Sequence, residues 1–160
     1  MSCLRPVPTA LLVCATLLMC GSAHAELGGA VSSVVADGGR MGARLASTPM
    51  GRYARHDLTR VNGGMVHELT NAQGQVFAVT WSGPGKPDLR SLLGRYFETF
   101  QAANDTSGGR AMRALRRPQQ VSQSDLQIQT GGHMGWFHGM AFIPSLAPAG
   151  FSANDLSQEP

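Results

Sequence analysis

The stretch that most constrains this chain is residues 75–101, QVFAVTWSGPGKPDLRSLLGRYFETFQ, because a strand-like alternation, a Gly/Pro break and a helical period follow one another there without a gap. In the first part, Phe77, Val79 and Trp81 fall on one face of a strand and Val76, Ala78 and Thr80 on the other. Ser82-Gly83-Pro84-Gly85-Lys86-Pro87 then stops the strand, since proline has no N–H to give to a ladder. Pro87 suits the first helical position and Asp88 puts a negative charge in the first turn. Leu89, Leu92, Leu93, Tyr96, Phe97 and Phe100 recur in steps of three and four, with Ser91, Arg95 and Glu98 opposite. The spacing predicts one helix over 87–101, packed on the Phe77/Val79/Trp81 face. Gly94 is costly inside such a helix, by about 1 kcal/mol against Ala. Either it is tolerated or it admits another backbone closely.

The first 25 residues read as a cleaved export signal. Arg5 is the positive region, residues 10–19 (ALLVCATLLM) the apolar one, and Ala23-His24-Ala25 the cleavage site. The apolar run is short for a bilayer span, and no second run follows, so no transmembrane segment is expected in the mature chain. A lipoprotein signal with Cys20 as the lipidated residue competes, but Met19 stands where a small residue belongs. The expected localisation is periplasmic or secreted. Cys3, Cys14 and Cys20 all lie in this segment. The mature chain would therefore hold its fold by packing, with no disulfide and no cysteine chemistry. Losing Arg5 lowers the formal charge from +3 to +2, too mild to argue for nucleic acid or a membrane surface.

Residues 26–50 are rich in Gly, Ala and Ser and read as an N-terminal arm, partly ordered, with at most one short strand or turn of helix. Residues 51–151 read as the single domain and 152–160 as a loose tail. Asn62-Gly63-Gly64, between strand-like 53–61 and 65–70, is a hairpin signal, and 71–74 links to the central strand as a second hairpin loop. Residues 110–117 suit two turns of helix ended by Pro118. Their four arginines, Arg110, Arg113, Arg116 and Arg117, either bind an anionic partner or, as is more usual, form a solvated face. Leu126 and Ile128 mark a further strand, Gly131-Gly132 a turn, and 133–143 its return. The fold class expected is α+β: a small antiparallel sheet of three to five strands packed against one main helix.

Some of these residues together resemble a known family. They are Val76 through Pro84, Pro87-Asp88-Leu89, Leu92-Leu93-Gly94 with Tyr96-Phe97, Gly132-His133-Met134, His138-Gly139 and Ile143-Pro144-Ser145-Leu146. The pattern is similar to the exported bacterial family described as domain of unknown function 2844, over most of the mature chain. The resemblance implies export and one small domain. It implies no activity, cofactor or catalytic residue.

Two constellations can carry chemistry. In 133–140, HMGWFHGM, a strand places Met134, His138 and Met140 on one side. Thioether and imidazole together suit copper, above all Cu(I). Against that, methionines fill core gaps beside a tryptophan such as Trp136. Trp136 and Phe137, if exposed, would instead mark a partner surface. His56-Asp57 and His67-Glu68 lie on neighbouring strands and suit acid–base work or zinc. Neighbours on a strand point to opposite faces, so neither histidine shares a site with its adjacent acid, while His56 and His67 can face each other across the hairpin. No nucleophile elbow, phosphate cradle or dinucleotide motif is present. The leading functional expectation is a non-enzymatic periplasmic or secreted interaction protein with another envelope or secreted protein as partner and no cofactor. The alternatives are a copper or small-ligand binder and, third, an enzyme of unknown type.

Overall fold

The structure, a computed structural model, describes residues 26–105 and 119–156. The segment expected to be an export signal, the arginine-rich 110–117 and the last four residues lie outside the described residues. Seven strands form one antiparallel sheet: β1 (Arg44–Pro49), β2 (Tyr53–Thr59), β3 (Met65–Asn71), β4 (Val76–Pro84), β5 (Gln119–Gln123), β6 (Leu126–His133) and β7 (Trp136–Phe142). Their spatial order is β1-β2-β3-β4-β7-β6-β5. Among the described residues four α-helices accompany them: α1 (Val31–Met41), α2 (Leu89–Leu93), α3 (Phe97–Asp105) and α4 (Ala153–Leu156). This corrects the expected small sheet on one main helix. The sheet is the dominant layer, and short helices cover it.

β4 is the middle strand of the seven, and its neighbours β3 and β7 come from the two halves of the chain. It runs three residues further than alternation alone suggests, through Pro84 opposite Trp136. Pairing with β3 stops at Ser82, and the Pro84 carbonyl on that side accepts from the Asn62 side-chain amide instead. The missing proline N–H therefore faces no strand. The faces of β4 also differ from expectation. Leu69 is opposite Ala78 and Thr70 opposite Val76, so Phe77 is the extra residue of a β-bulge. Val79 and Trp81 join Val34, Leu58, Leu92, Leu93 and Phe100 under the helices. Phe77 is turned to the opposite face with Leu69, Ala78, Phe142 and Leu156. There its ring meets Tyr53 and Phe151 edge-on, at centroid distances of 6.1 and 5.0 Å. The expected loose tail thus closes a second core, with Leu156 buried at the end of α4.

The expected single helix is broken at Gly94, which adopts φ +50° and separates α2 from a 3-10 turn and α3. A Cβ there would run into the Glu26 side chain. The close approach belongs to a side chain of the N-terminal segment, and the positive φ makes glycine the residue of choice. Asp88 is the cap of α2, accepting from the Ser91 amide at 3.3 Å and the Ser91 hydroxyl at 2.7 Å.

The segment expected as an arm contains α1 and the edge strand β1. Its stripe of Ser33, Val34, Asp37 and Gly38 is buried against the sheet. Gly38 and Gly39 are helical, and Gly38 faces Leu45 and Leu58 across an ordinary packing distance. Gly131 and Gly132 lie within β6. The turn before β7 is Met134-Gly135, with φ +42° and +87°, the signs a two-residue type I′ hairpin requires.

Candidate functional site: an apolar tip at one end of the sheet

Three returns of the chain meet at one end of the sheet: the turn between β2 and β3, the end of β4, and the turn between β6 and β7. Short bonds tie them together. The Arg60 amide donates to the Gly64 carbonyl at 2.8 Å, and the Gly64 amide to Asn62 Oδ1 at 3.0 Å. Asn62 Nδ2 reaches Pro84 O, and the Gly85 amide reaches the Gly135 carbonyl, each at 3.0 Å. Gly83, at φ +129°, lies so close that a Cβ would stand 2.5 Å from Gly64 Cα. The backbone of this end is braced turn against turn.

On this braced end stand Val61, Met65, Met134 and Trp136, exposed by 97%, 37%, 101% and 46%. They are four of the seven exposed large hydrophobic residues among the described ones, a concentration that marks a docking surface better than scattered residues do. Met134 is also the one non-glycine residue with positive φ among those described. Such strain, of order 1 kcal/mol, persists where the surroundings impose it and collects at functional positions. Behind the tip, on the helix-covered face, a shallow cleft is lined by Arg60, Met65, Trp81, Pro84, Pro87 and Phe137.

The run 133–140 is divided among these places. Met134 sits in the turn, off the strand's alternation. Trp136, His138 and Met140 share the face that carries Phe142. Trp136 and His138 are exposed and Met140 is buried. The His138 ring lies over Gly131, where a Cβ would be 2.6 Å from Nε2. Phe137, half-buried, points the other way into the cleft. The two residues expected to share a partner surface therefore serve opposite faces. Among the described residues no group of three or more His, Cys, Asp or Glu is placed to hold a metal ion.

The histidines of the β2–β3 hairpin do not face each other. The register sets His56 opposite Glu68 and Asp57 opposite His67, so each histidine lies across from the acid of the other strand, one pair on each face. Asp57 Oδ1 binds His67 Nδ1 at 2.5 Å and Arg55 Nε at 3.0 Å. On the α1 side, the His56 ring bonds Ser47 Oγ at 2.8 Å and Thr70 Oγ1 at 3.0 Å. Burial lowers the His56 pKa, opposed by the Asp57 charge. Both rings have partners.

Sequence reasoning missed the strongest electrostatic feature, the approach of Asp37 on α1 to Glu68 on β3, each 1% exposed. Burial is the main cause that pushes Glu68 up to about 8, with the neighbouring Asp37 adding to it. Asp37 is pushed up to about 6, again chiefly by burial, with Arg40 opposing. The available signal was Asp37 at helical spacing from Val34 and Met41, inside a Gly-rich stretch that hides the period.

No helix among the described residues is long and apolar enough to cross a membrane. No curated protein and no solved structure matches the chain. A family model matches residues 23–156, which include every described residue. The chain belongs to the family described as protein of unknown function (DUF2844).

Proposed function

We propose that this is an exported, non-enzymatic interaction protein, released by cleavage after Ala25, that docks another envelope or secreted protein through the tip formed by Val61, Met65, Met134 and Trp136. The observation that carries the reading is the gathering of these side chains on a backbone braced by Gly83 against Gly64. A rigid apolar knob loses little conformational entropy on binding, and Trp and Met are favoured at such surfaces. The test is crosslinked capture from the host envelope with the intact mature chain and with a Val61→Ser/Met134→Ser/Trp136→Ser variant of equal melting temperature. One stoichiometric protein held by the parent and lost by the variant is the expected result. Equal capture by both, or none by either, overturns the reading.

A second reading, a copper or small-ligand site using Met134, His138 and Met140, is favoured by one observation. His138 and Met140 stand two residues apart on the same side of β7, and the cross-strand row of His138 runs through Ser82 to Met65. Trp136 lies beside them as a reporter. A Cu(I) titration that leaves its fluorescence and the melting temperature unchanged eliminates this reading.

A further inference from the structure

α1 is weak as a helix. It contains Gly38 and Gly39, its N-cap Ala30 has no capping side chain, and no acid stands in its first turn. Each internal glycine weakens a helix relative to Ala, so α1 depends on what it is docked to. Its dock is unusual. Among the core-facing side chains are Asp37 from the helix and Glu68 from β3, both 1% exposed. With both acids ionised, Asp37 Oδ2 and both Glu68 oxygens are buried without a donor. The two acids lie close enough to act on each other, and a hydrogen bond between two carboxyl groups requires a proton.

We propose that Asp37 and Glu68 form a proton-held latch, which keeps α1 closed over the sheet while one proton is shared between them and lets α1 open locally when that proton is lost. Arg40 fixes the arrangement: its guanidinium bonds Asp37, so Asp37 is the ionised member and Glu68 the donor. A second negative charge in the same place leaves two buried carboxylates against one nearby cation, which is strongly unfavourable. The other charged groups around the pair do not replace the proton. Asp88, ahead of α2, adds negative charge. His56, on the same side of β2, has both ring nitrogens engaged by Ser47 and Thr70. Arg44 at the start of β1 is exposed and alternates with Leu45, which faces the helix. Opening of α1 would uncover Val34, Leu58 and the His56 side of the hairpin, a surface separate from the tip.

Hydrogen–deuterium exchange of the intact protein, corrected for the intrinsic pH dependence of amide exchange, tests the latch. Between about pH 5 and 8 the opening equilibrium of residues 31–41 is expected to rise, by up to about tenfold per pH unit for one proton released. Amides of β6 and β7 serve as the internal control and should not follow. In Glu68→Gln and in Glu68→Met, which keep the side chain's length without its ionisation, the rise should vanish. A pH-independent opening of α1 in the parent, or the same slope in whichever of the two variants folds, overturns the proposal.

Discussion

The β2–β3 hairpin brings a histidine opposite an acid twice, and the two meetings have opposite fates. Asp57 and His67 bond each other directly on the face away from α1, with Arg55 alongside. On the α1 face, His56 ignores Glu68 and bonds Ser47 and Thr70 instead. Glu68, so released, meets a second acid, Asp37, beneath the helix. The residue types and the strands are the same. The difference is what covers them: on the partly open face the acid keeps a cation, Arg55, beside it, whereas the docked helix takes the other acid out of water and raises its pKa. Pairing across a hairpin therefore follows from register, while titration follows from the layer above it.

The largest expected effect breaks the comparison on its buried side. Glu68 has a folded-state pKa raised from 4.5 to about 8. In that window the native state holds a proton that the unfolded chain has lost, so stability is full below about pH 4.5 and falls as pH rises towards 8. Glu68→Gln should remove this slope. At pH 8 the variant should be more stable than the parent by about 2–4 kcal/mol, allowing for sharing of the proton with Asp37. Urea titrations at pH 5 and pH 8 measure it, and parallel pH dependence of the two proteins would refute the assignment.

Next in size is a pair of glycines, one on each face of the β6–β7 ladder. Gly139, on the helix-covered face, has the Trp81 ring and the Gln129 carbonyl in the space of its missing Cβ. Both are held by the core and the sheet, so Gly139→Ala should cost about 1–3 kcal/mol. At Gly131 the nearest atoms belong to the His138 ring, and that side chain is exposed and can rotate. Gly131→Ala should stay within about 0.5 kcal/mol. Thermal unfolding of the two variants ranks them, and equal losses would mean that the face carrying His138 is as tightly packed as the helix-covered one.

Smaller again is the open-face pair. Asp57→Asn keeps an acceptor for His67 but removes the charge shared with Arg55, and should cost about 0.5–1 kcal/mol in low salt. The loss should shrink in 1 M NaCl, since partly exposed pairs are screened. A salt-independent loss of several kcal/mol would place this pair in the same class as Glu68.

Much of the sheet was legible because its signals are local. The alternation around Val79 and Trp81 located the middle strand, Asn62-Gly63 located a hairpin turn, and Asp88 located a helix start. What was hidden depends on distant partners. The bulge at Phe77 exists because β3 pairs around it, and it reverses the face of one aromatic that alternation assigns elsewhere. Gly94 breaks the helix where Glu26 lies against it, nearly seventy residues away in sequence. The last strands shifted because Gly131-Gly132 looks more turn-like than Met134-Gly135, although only the latter has two positive φ angles. At the site, the exposure of Trp136 was anticipated as a possibility, but its company was not. Val61 and Met65 reach the same end only through the order β3-β4-β7. The Asp37–Glu68 meeting joins a segment expected as an arm to a strand, and no local pattern announces it.

The smallest expected effect separates fold from function at the tip. Met134 occupies the first position of a type I′ turn at φ +42°, where Asn is the favoured residue. Met134→Asn should relieve strain and raise stability by about 0.5 kcal/mol. It also deletes a fully exposed thioether from the apolar cluster with Val61, Met65 and Trp136. If the tip docks a partner, this variant melts slightly higher and yet captures less of it. A stability gain with capture unchanged would mean that the methionine's strain serves nothing at the surface, and the docking area would then have to centre on Trp136. A stability loss would mean that Met134 is held by contacts within the protein, and the comparison between a braced backbone and free side chains at this end of the sheet would fail.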